Sequence, residues 1–412
     1  MELRINPYLD RLVCSATGQT VPHHEFQRPV GLCPCCPPPG KPVEALYRLD
    51  ALRDDRAGDW RGPEAADGLW RHAALLPVWG VDDAYAADVG RPVFVRQAAL
   101  SDELDLDVQL MNEGGHPSGS FKDRGLAVGI AFGAACGARR FCLPTQGNAG
   151  VAACLFSSRL GLPGCIVYMP EAWRGSIYHR ECEFFGGEVR FHGANIAAAG
   201  RKMRDDLRDE LTAGTLVDIS TFFEPGRLEG KKTMGLDIAA HFGPRALPDA
   251  IIYPTGGGTG LVGIWKAFRE LNELDRLPGK PPALIAVQSE QCAPVVEAYR
   301  RGLAAVEPVV SRGTVADGLD VPGAIMGHRM LGVLRESGGT AVAAAEAEIV
   351  AAFRRYGALG VAASYEGAAT LAAARRLRAE GFLKPGMKVL LVNTASHLVS
   401  LARPAPPAST AR

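Results

Sequence analysis

The sequence predicts an α/β protein built on two doubly wound parallel sheets, with a small cysteine-bearing cap at the N-terminus. From residue 93 onward, short β-branched or apolar runs alternate with amphipathic helical runs, which is the pattern of repeated strand-helix-strand units. Hydrophobic residues make up 47% of the chain, and 48 glycines and 29 prolines punctuate it, as expected for a loop-rich α/β protein. The 412 residues are enough for two cores, because domains usually contain about 100 to 200 residues.

Eight apolar runs are predicted to be strands. They are residues 93–96, 107–111, 141–143, 165–169, 188–191, 250–253, 284–287 and 388–393. Helical runs separate them, so the strands are expected to be parallel. Residues 137–222 contain a strand-helix alternation of their own and are predicted to form a small α/β lobe inserted into a larger domain of residues 46–136 and 223–402. Ligands of open α/β sheets bind at the carboxyl ends of the strands, which predicts a binding cleft between the lobes.

The charge balance and the hydropathy of the sequence argue against nucleic acid and membranes as partners. Lysine plus arginine number 45 and aspartate plus glutamate also number 45, so there is no basic excess for nucleic acid or a membrane surface. No apolar run approaches the length of a membrane span, about 18 to 20 residues, and the first residues lack the order of a signal peptide. We therefore expect a cytoplasmic protein without disulfides, and a disordered tail at residues 403–412.

Residues 1–45 are predicted to form a degenerate cap similar to a zinc ribbon. Four cysteines and two histidines lie in this segment: Cys14, His23, His24, Cys33, Cys35 and Cys36. A zinc ribbon needs two paired knuckles, and Thr17 takes the place of the second ligand in the first knuckle. Two interpretations remain open. Either Cys14, Cys33 and Cys36 bind a metal together with one histidine, or the cap is a metal-free remnant of such a site.

Lys122 is the first candidate for a chemically reactive residue. It lies in His116-Pro-Ser-Gly-Ser-Phe-Lys-Asp-Arg-Gly125, where a strand is predicted to give way to a helix. A lysine condenses well with a carbonyl only when it is partly desolvated, and nearby hydroxyls and backbone amides must anchor the captured molecule. The carbonyl compound that we expect is pyridoxal phosphate. The alternative is a surface lysine in a Ser/Gly turn.

A second segment, Pro144-Thr-Gln-Gly-Asn-Ala-Gly150, also joins a predicted strand to a predicted helix. Such a turn leaves backbone amides and one side-chain amide facing the ligand side of a sheet. Asn148 is therefore predicted to hold a ring hydroxyl, with a simple helix cap as the alternative.

A third segment, Pro254-Thr-Gly-Gly-Gly-Thr-Gly260, follows an apolar strand and precedes a helical run. A glycine loop at a helix start surrounds a phosphate with backbone N–H groups at the positive end of the helix dipole. Thr255 and Thr259 could add hydroxyl donors. A rival interpretation is a nicotinamide dinucleotide site, because Gly258-Thr-Gly-Leu-Val-Gly263 fits the GxGxxG pattern. However, the acidic candidate Glu290 lies farther along the chain than the roughly 20 residues expected for a ribose ligand.

These segments together resemble the threonine synthase-type members of the fold-type II pyridoxal-phosphate enzymes. The run ending at Lys122 resembles the family's NPTGSFKDRG segment, Gln146-Gly-Asn148 its SSGNT-like loop, and Glu229-Gly-Lys-Lys-Thr233 its EGxKT segment. The glycine loop resembles its phosphate-binding loop, and Asn393-Thr-Ala-Ser396 resembles the segment that meets the pyridine nitrogen. All occur in the family's order over most of the chain. The resemblance implies a fold-type II architecture, with the cofactor in the cleft between the two lobes.

The resemblance also implies a role for each matched residue. Lys122 would carry pyridoxal phosphate and then shuttle a proton at the α-carbon of the substrate. Asn148 would hold the ring hydroxyl, and Thr394 would hydrogen-bond the ring nitrogen, with a hydroxyl bonded only to backbone as the alternative for Thr394. The cofactor phosphate would be bound by Gly256, Gly257, Gly258 and Thr259. The carboxylate or leaving group of the substrate would be received by Ser118, Ser120, Thr145 and Gln146.

The chain departs from the family's pattern at two places. Where the family typically has NTGSGLK or TGxGLK, this chain has Asn393-Thr-Ala-Ser-His-Leu-Val399, in which Ala395 and His397 replace glycines and Val399 replaces lysine. Asp320 stands where related chains tend to carry arginine. Added side chains reshape a pocket, and exchanging a cation for an anion weakens phosphate binding if the residue faces the ligand.

The predicted function is that of a pyridoxal-phosphate lyase or synthase of the threonine synthase type. It would remove the α-proton of an O-phosphorylated or otherwise O-activated amino acid, eliminate a β- or γ-substituent and add water or another nucleophile. The alternative within the class is β-replacement on a phosphoserine-type substrate, as in cysteate synthase, or a specialised biosynthetic reaction. Outside the class, the alternatives are an NAD-dependent dehydrogenase and a non-catalytic amino-acid-binding protein. A homodimer acting on a small amino acid is expected.

Overall fold

The computed structural model describes residues 3–22, 31–38, 40–54, 68–81 and 83–402. His23, His24 and the predicted tail at 403–412 lie outside the described residues.

Helices and strands alternate along most of the described chain. The helices are α1 Leu49–Asp54, α2 Asp83–Ala86, α3 Ala98–Leu104, α4 Lys122–Ala135, α5 Asn148–Arg159, α6 Ile177–Phe184, α7 Ile196–Asp206, α8 Arg208–Ala213, α9 Gly226–Phe242, α10 Thr259–Glu273, α11 Pro294–Arg300, α12 Gly327–Glu336, α13 Glu346–Ala358, α14 Tyr365–Ala379 and α15 His397–Leu401. The strands are β1 Arg4–Ile5, β2 Leu9–Cys14, β3 Val43–Tyr47, β4 Val78–Trp79, β5 Val93–Arg96, β6 Asp107–Asn112, β7 Arg140–Pro144, β8 Ile166–Met169, β9 Glu188–Phe191, β10 Leu216–Asp218, β11 Ala250–Pro254, β12 Ala283–Ser289, β13 Thr340–Ala344 and β14 Lys388–Asn393.

The chain divides into two compact units. The first unit comprises Met1–Arg91, His116–Leu247 and Val262–Lys280, and the second comprises Pro92–Gly115, Pro248–Leu261 and Pro281–Arg412. Among the described residues, no helix has the length and apolar character needed to cross a membrane. All ten cysteines are free thiols.

The second unit is built on a six-stranded sheet in the order β13-β12-β11-β14-β6-β5. Five strands are parallel, and every residue of the central strand β11 is buried, as a continuous apolar run predicts for a parallel strand covered on both faces. The edge strand β5 pairs antiparallel with β6, so the prediction of an all-parallel sheet is wrong at this edge. Only the short helix α3 joins β5 to β6, and this link is shorter than a parallel crossover usually requires, about a dozen residues.

The first unit contains a four-stranded parallel sheet in the order β10-β7-β8-β9. Its strands all fall within residues 137–222, where the sequence placed a small lobe. The compact unit is larger than that prediction, because it also includes α4, α9 and the N-terminal segment. The N-terminal segment adds an antiparallel pair of β2 with β3 and another of β1 with β4.

Helices α4 and α9 pack closely in the first unit because glycines face each other where they meet. A Cβ atom on Gly230 of α9 would lie 2.0 Å from the carbonyl oxygen of Arg124, and one on Gly226 would lie 2.7 Å from Cα of Gly129 on α4. The buried guanidinium of Arg124 also donates to Thr233 at 2.8 Å and pairs with Asp237 at 2.7 Å. These contacts fix the start of α4, where Lys122 lies, against α9.

Candidate active site

In the first unit, Lys122 is the first residue of α4 and is half-buried. The turn before it is held by local hydrogen bonds: the imidazole of His116 accepts from the backbone N–H of Gly90 at 3.3 Å, and the Gly119 N–H donates to the carbonyl of His116 at 2.7 Å. The hydroxyl of Ser120 accepts from the N–H of Lys122 at 3.3 Å. A helix start of this kind holds the lysine at a defined place while leaving its amine partly accessible.

Ser118 and Ser120 lie beside Lys122, as the sequence predicts, but both are almost fully buried. Ser118 is engaged with Asp123: its N–H donates to the carboxylate at 2.9 Å, and its hydroxyl donates to the other carboxylate oxygen. The two serine hydroxyls are 3.4 Å apart. The structure thus gives both serines partners that shape the lysine turn, and a direct role on the substrate stays a prediction.

Asp123 is a buried acid that the sequence interpretation left without a role. Burial raises the pKa of its carboxyl to about 7, although the hydrogen bonds from Ser118 act in the opposite direction. Near neutral pH the carboxyl therefore retains a proton part of the time, within one residue of Lys122.

Replacing Asp123 with asparagine is expected to flatten the dependence of stability on pH. The native carboxyl stays protonated up to about pH 7, whereas the unfolded one loses its proton near pH 4. The native state therefore binds the extra proton in this window, and the contribution of Asp123 to stability is lost as pH rises from about 4 to 7. Asparagine resembles the protonated acid but does not titrate. The variant therefore lacks this pH-dependent contribution to the free energy of unfolding, which is on the order of a few kcal/mol.

The measurement is denaturant unfolding of the wild type and Asp123→Asn at several pH values. The difference between their free energies of unfolding should change steadily across the window, in favour of asparagine at the high end. A difference that does not vary with pH would contradict the buried, raised carboxyl.

Lys231 of α9 is the residue that sequence analysis missed. Its ammonium donates to the carbonyl of Phe121 and lies 3.6 Å from the centroid of the Phe121 ring, while Nζ of Lys122 lies 4.2 Å from the same centroid. Two lysine amines therefore flank one phenyl ring, and Lys231 is almost fully buried. Lysines are rarely buried without a partner, but the many polar residues of α9 gave no signal in the sequence that Lys231 would be buried.

The loop before α5, also in the first unit, carries Thr145 and Gln146, and Asn148 is the first residue of α5. The Thr145 hydroxyl accepts from the Gly147 N–H at 3.0 Å and lies 3.2 Å from the Gly147 carbonyl, so it stabilises the loop itself. Gln146 is half-buried. The side-chain oxygen of Asn148 is buried and has no hydrogen-bond partner among the described residues. Because a buried polar atom without a partner is costly, Asn148 has the character of a ligand-binding group and not of a satisfied cap.

In the second unit, the glycine loop follows β11 and ends where α10 begins at Thr259. A Cβ atom on Gly256 would lie 2.2 Å from the Gly318 carbonyl, and Gly258 has a φ of +81° with Met330 where a Cβ would lie. Only glycine fits at these two positions, so the chain can make this tightly packed turn at the start of the helix. Thr255 adds no donor, because its hydroxyl already donates to the carbonyl of Tyr253 at 3.0 Å.

Thr394 follows β14, the strand that lies next to β11 in the six-stranded sheet and runs parallel to it. The glycine loop and Thr394 therefore leave neighbouring strands at the same edge. The side-chain amide of Asn393 stabilises the end of β14. It donates to the side-chain oxygen of Asn112 at 2.7 Å and to the Ala395 carbonyl at 2.8 Å. Thr394 is nearly buried, and the buried Nδ1 of His397 has no hydrogen-bond partner among the described residues.

Asp320 belongs to the segment that covers the glycine loop, because Gly318 and Val321 both contact Gly256. Its carboxylate accepts from the Ser311 hydroxyl and is hydrogen-bonded to the Cys292 thiol. The carboxyl of Glu366 accepts from the Gly318 N–H at 2.9 Å. Asp320, where the resemblance led us to expect an arginine, thus lies in the segment that packs on the glycine loop, and Glu366 is hydrogen-bonded to the same segment.

The residues fit pyridoxal phosphate in two ways. The glycine-lined helix start offers backbone donors to a phosphate, and Asn148 offers a buried side-chain oxygen that has no hydrogen-bond partner among the described residues. The nicotinamide alternative gives no role to the Lys122 and Asn148 segments.

Comparisons with known proteins agree with this chemistry. A family model described as "Pyridoxal-phosphate dependent enzyme" matches residues 87–395. Over 389 residues the chain is 25% identical to a threonine synthase of Methanocaldococcus jannaschii, covering 93% of this chain and 92% of that protein. Over 335 residues it is 28% identical to a threonine synthase of Methanosarcina acetivorans, covering 80% of each. The fold is similar to that of maize serine racemase, with a TM-score of 0.62 at 19% identity over 74% of this chain and 88% of that chain.

Proposed function

The chain belongs to the pyridoxal-phosphate-dependent enzyme family, and we propose that it is a lyase or synthase of the threonine synthase type. Its cofactor is pyridoxal phosphate, and its fold is the fold-type II α/β fold. The proposed substrate is an O-phosphorylated or otherwise O-activated amino acid. The support for this reaction class is the similarity to two threonine synthases over most of the chain.

The glycine loop is the structural feature that best supports pyridoxal phosphate as the cofactor. The backbone N–H groups of Gly256, Gly257, Gly258 and Thr259 are proposed to bind the cofactor phosphate. The Asn148 amide is proposed to hydrogen-bond the ring hydroxyl, and the Thr394 hydroxyl the ring nitrogen. When bound, the cofactor supplies an electron sink for negative charge at the substrate's α-carbon. A neutral hydroxyl at the ring nitrogen moderates that sink, which favours elimination and replacement over transamination.

Lys122 is proposed to anchor the cofactor and then to hold and return the proton of the α-carbon. It is the first residue of α4, and its backbone N–H donates to the buried hydroxyl of Ser120. Thr145 and Gln146 stay proposed contacts of the substrate. A homodimer and a cytoplasmic location also stay predictions.

The second candidate is β-replacement on an amino acid whose leaving group is not phosphate. The observation that favours it is Asp320, an anion in the segment that packs on the glycine loop. An anionic side chain disfavours a second phosphate near the first, because charge-assisted hydrogen bonds require a cation opposite the phosphate.

A substrate panel tests the proposed function. Purified protein saturated with pyridoxal phosphate is incubated with O-phospho-, O-acetyl- and O-succinyl- forms of serine and homoserine, and the released phosphate, acetate or succinate is measured. Release from at least one substrate supports the lyase or synthase, and the best substrate identifies the leaving group. No release from any of them, with or without added nucleophiles, would contradict the proposal.

We expect Asp320→Arg to shift the preference toward phosphorylated substrates. A cation in place of the anion adds an electrostatic partner for phosphate, so the ratio of kcat/KM for phosphorylated over acetylated substrate should rise about tenfold or more. Glu307→Arg is the matched control, because Glu307 is exposed in the same unit and the change in charge is equal. An unchanged ratio in Asp320→Arg would indicate that residue 320 does not face the substrate.

A further inference from the structure

The N-terminal cap places three cysteines on two tight turns. Cys14 ends β2, and its turn is closed by hydrogen bonds from Gly18 N–H to the Cys14 carbonyl and from Cys14 N–H to the Gln19 carbonyl, both 2.9 Å long. The second turn, which carries Cys33 and Cys36, is closed where the Cys33 N–H donates to the Lys41 carbonyl at 2.7 Å. The pairing of β2 with β3 joins the ends of these turns in one small antiparallel structure.

The three sulfur atoms form a compact cluster. The Sγ atoms of Cys14, Cys33 and Cys36 all lie within 4.8 Å of one another, and those of Cys14 and Cys36 are 3.5 Å apart. Metal–sulfur bonds of about 2.3 Å at a tetrahedral ion put neighbouring sulfurs roughly 3.8 Å apart. A disulfide would need about 2.05 Å. The spacing therefore suits three ligands of one ion, and Cys14 and Cys33 are buried while Cys36 is partly accessible.

We propose that Cys14, Cys33 and Cys36 bind one thiophilic divalent ion, with Zn²⁺ as the expected occupant, in a site whose fourth ligand is not a cysteine. Among the described residues, no further histidine, cysteine, aspartate or glutamate joins this cluster. Thr17 stands where a two-knuckle ribbon has its fourth cysteine. The ion would hold the two turns together, because a segment this small cannot bury enough apolar surface to be stable by itself.

Metal analysis of the full-length holoenzyme tests the site. Protein purified without chelators, or reconstituted with Zn²⁺ and freed of excess, should contain about one zinc per chain, and Cys33→Ser should lose it. Cys35→Ser is the matched control, because Cys35 lies in the same turn but is exposed and outside the cluster. This variant should keep its zinc. Pyridoxal phosphate content, measured in parallel, separates loss of the metal from loss of the fold.

Adding the missing thiol provides a second test that does not depend on a weakened variant. Thr17→Cys should slow the transfer of zinc to a chromogenic chelator at least about tenfold, because a fourth thiolate replaces a weaker ligand. Three results would overturn the proposal: a reconstituted wild type without bound zinc, zinc retained in Cys33→Ser, or a mass spectrum of freshly isolated protein in which Cys14 and Cys36 form a disulfide. Cobalt-substituted protein without thiolate-to-metal charge-transfer absorption would also contradict it.

Discussion

Lys122→Ala is expected to lower kcat by at least about 10³-fold while the fold is retained. The amine of Lys122 is the group proposed to anchor the cofactor and to move the α-proton, and general acid–base catalysis alone contributes about 10² to 10⁴-fold. The fold should persist, because the N–H of residue 122, which donates to Ser120, remains in alanine. Steady-state turnover and far-UV circular dichroism measure the two effects.

Two companion variants test whether the amine of Lys122 takes part in the reaction or acts only as a positive charge. Lys122→Arg keeps the positive charge but cannot lose its proton, so it should be as inactive as the alanine variant. Lys280→Ala removes an exposed lysine and should behave like the wild type. Substantial turnover in Lys122→Arg would mean that residue 122 acts only as a cation.

The second large effect concerns a buried charge cluster between α9 and α10 in the first unit. The Lys232 ammonium lies 2.7 Å from Glu229 and 2.7 Å from Glu270, and the Tyr47 hydroxyl donates to Glu229 at 3.0 Å. Burial alone would raise the pKa of Glu229, but the ammonium groups of Lys232 and Lys266 hold it below its usual range. The pKa of Glu270 remains raised, chiefly because of burial.

Lys232→Met should therefore lower the free energy of unfolding by about 3–5 kcal/mol, because it leaves the buried carboxyls of Glu229 and Glu270 with one ammonium, that of Lys266, in place of two. Denaturant unfolding measures this change. Arg269→Met, on the exposed face of α10, breaks a surface pair with Glu273 and should cost less than about 1 kcal/mol. The double variant Lys232→Met, Glu270→Met should recover part of the loss. A Lys232→Met variant as stable as Arg269→Met would contradict the account of the cluster.

The strands were largely predictable because apolar runs mark them. All eight predicted strands are present, with ends that shift by at most two residues. Two strands of the main sheets were missed, and both lack the usual signal. β13 is rich in alanine, which has a weak strand preference, and β10 has only three residues. The edge strand β5 was predicted at its observed residues, but its antiparallel direction was not, because strand direction depends on the connection and not on the run itself.

The boundary between the units was harder to predict, because it is set by contacts between residues distant in sequence. Gly226 and Gly230 bring α9 against α4, which draws both helices into the unit of the four-stranded sheet. A local pattern contains no information about which helix a glycine will face.

Some residues of the candidate site could be proposed from the sequence, and others could not. The glycine loop and Asn148 could be proposed as ligand-binding groups because their residue types and positions at helix starts indicate ligand binding, and these roles stay predictions. The hydroxyls of Ser118 and Thr145 were assigned to a substrate, whereas the structure engages them with Asp123 and Gly147. Lys231 was not assigned a role, because its position beside Phe121 arises only when α9 packs on α4.

Covalent trapping of the cofactor tests the central claim most directly. The holoenzyme is reduced with borohydride, digested, and its peptides are mapped by mass spectrometry. We predict a single pyridoxyl group on Lys122, although the amine of Lys231 flanks the same phenyl ring. A pyridoxyl group on Lys231 or on another lysine, or unlabelled Lys122 in protein that contains the full complement of cofactor, would contradict the account.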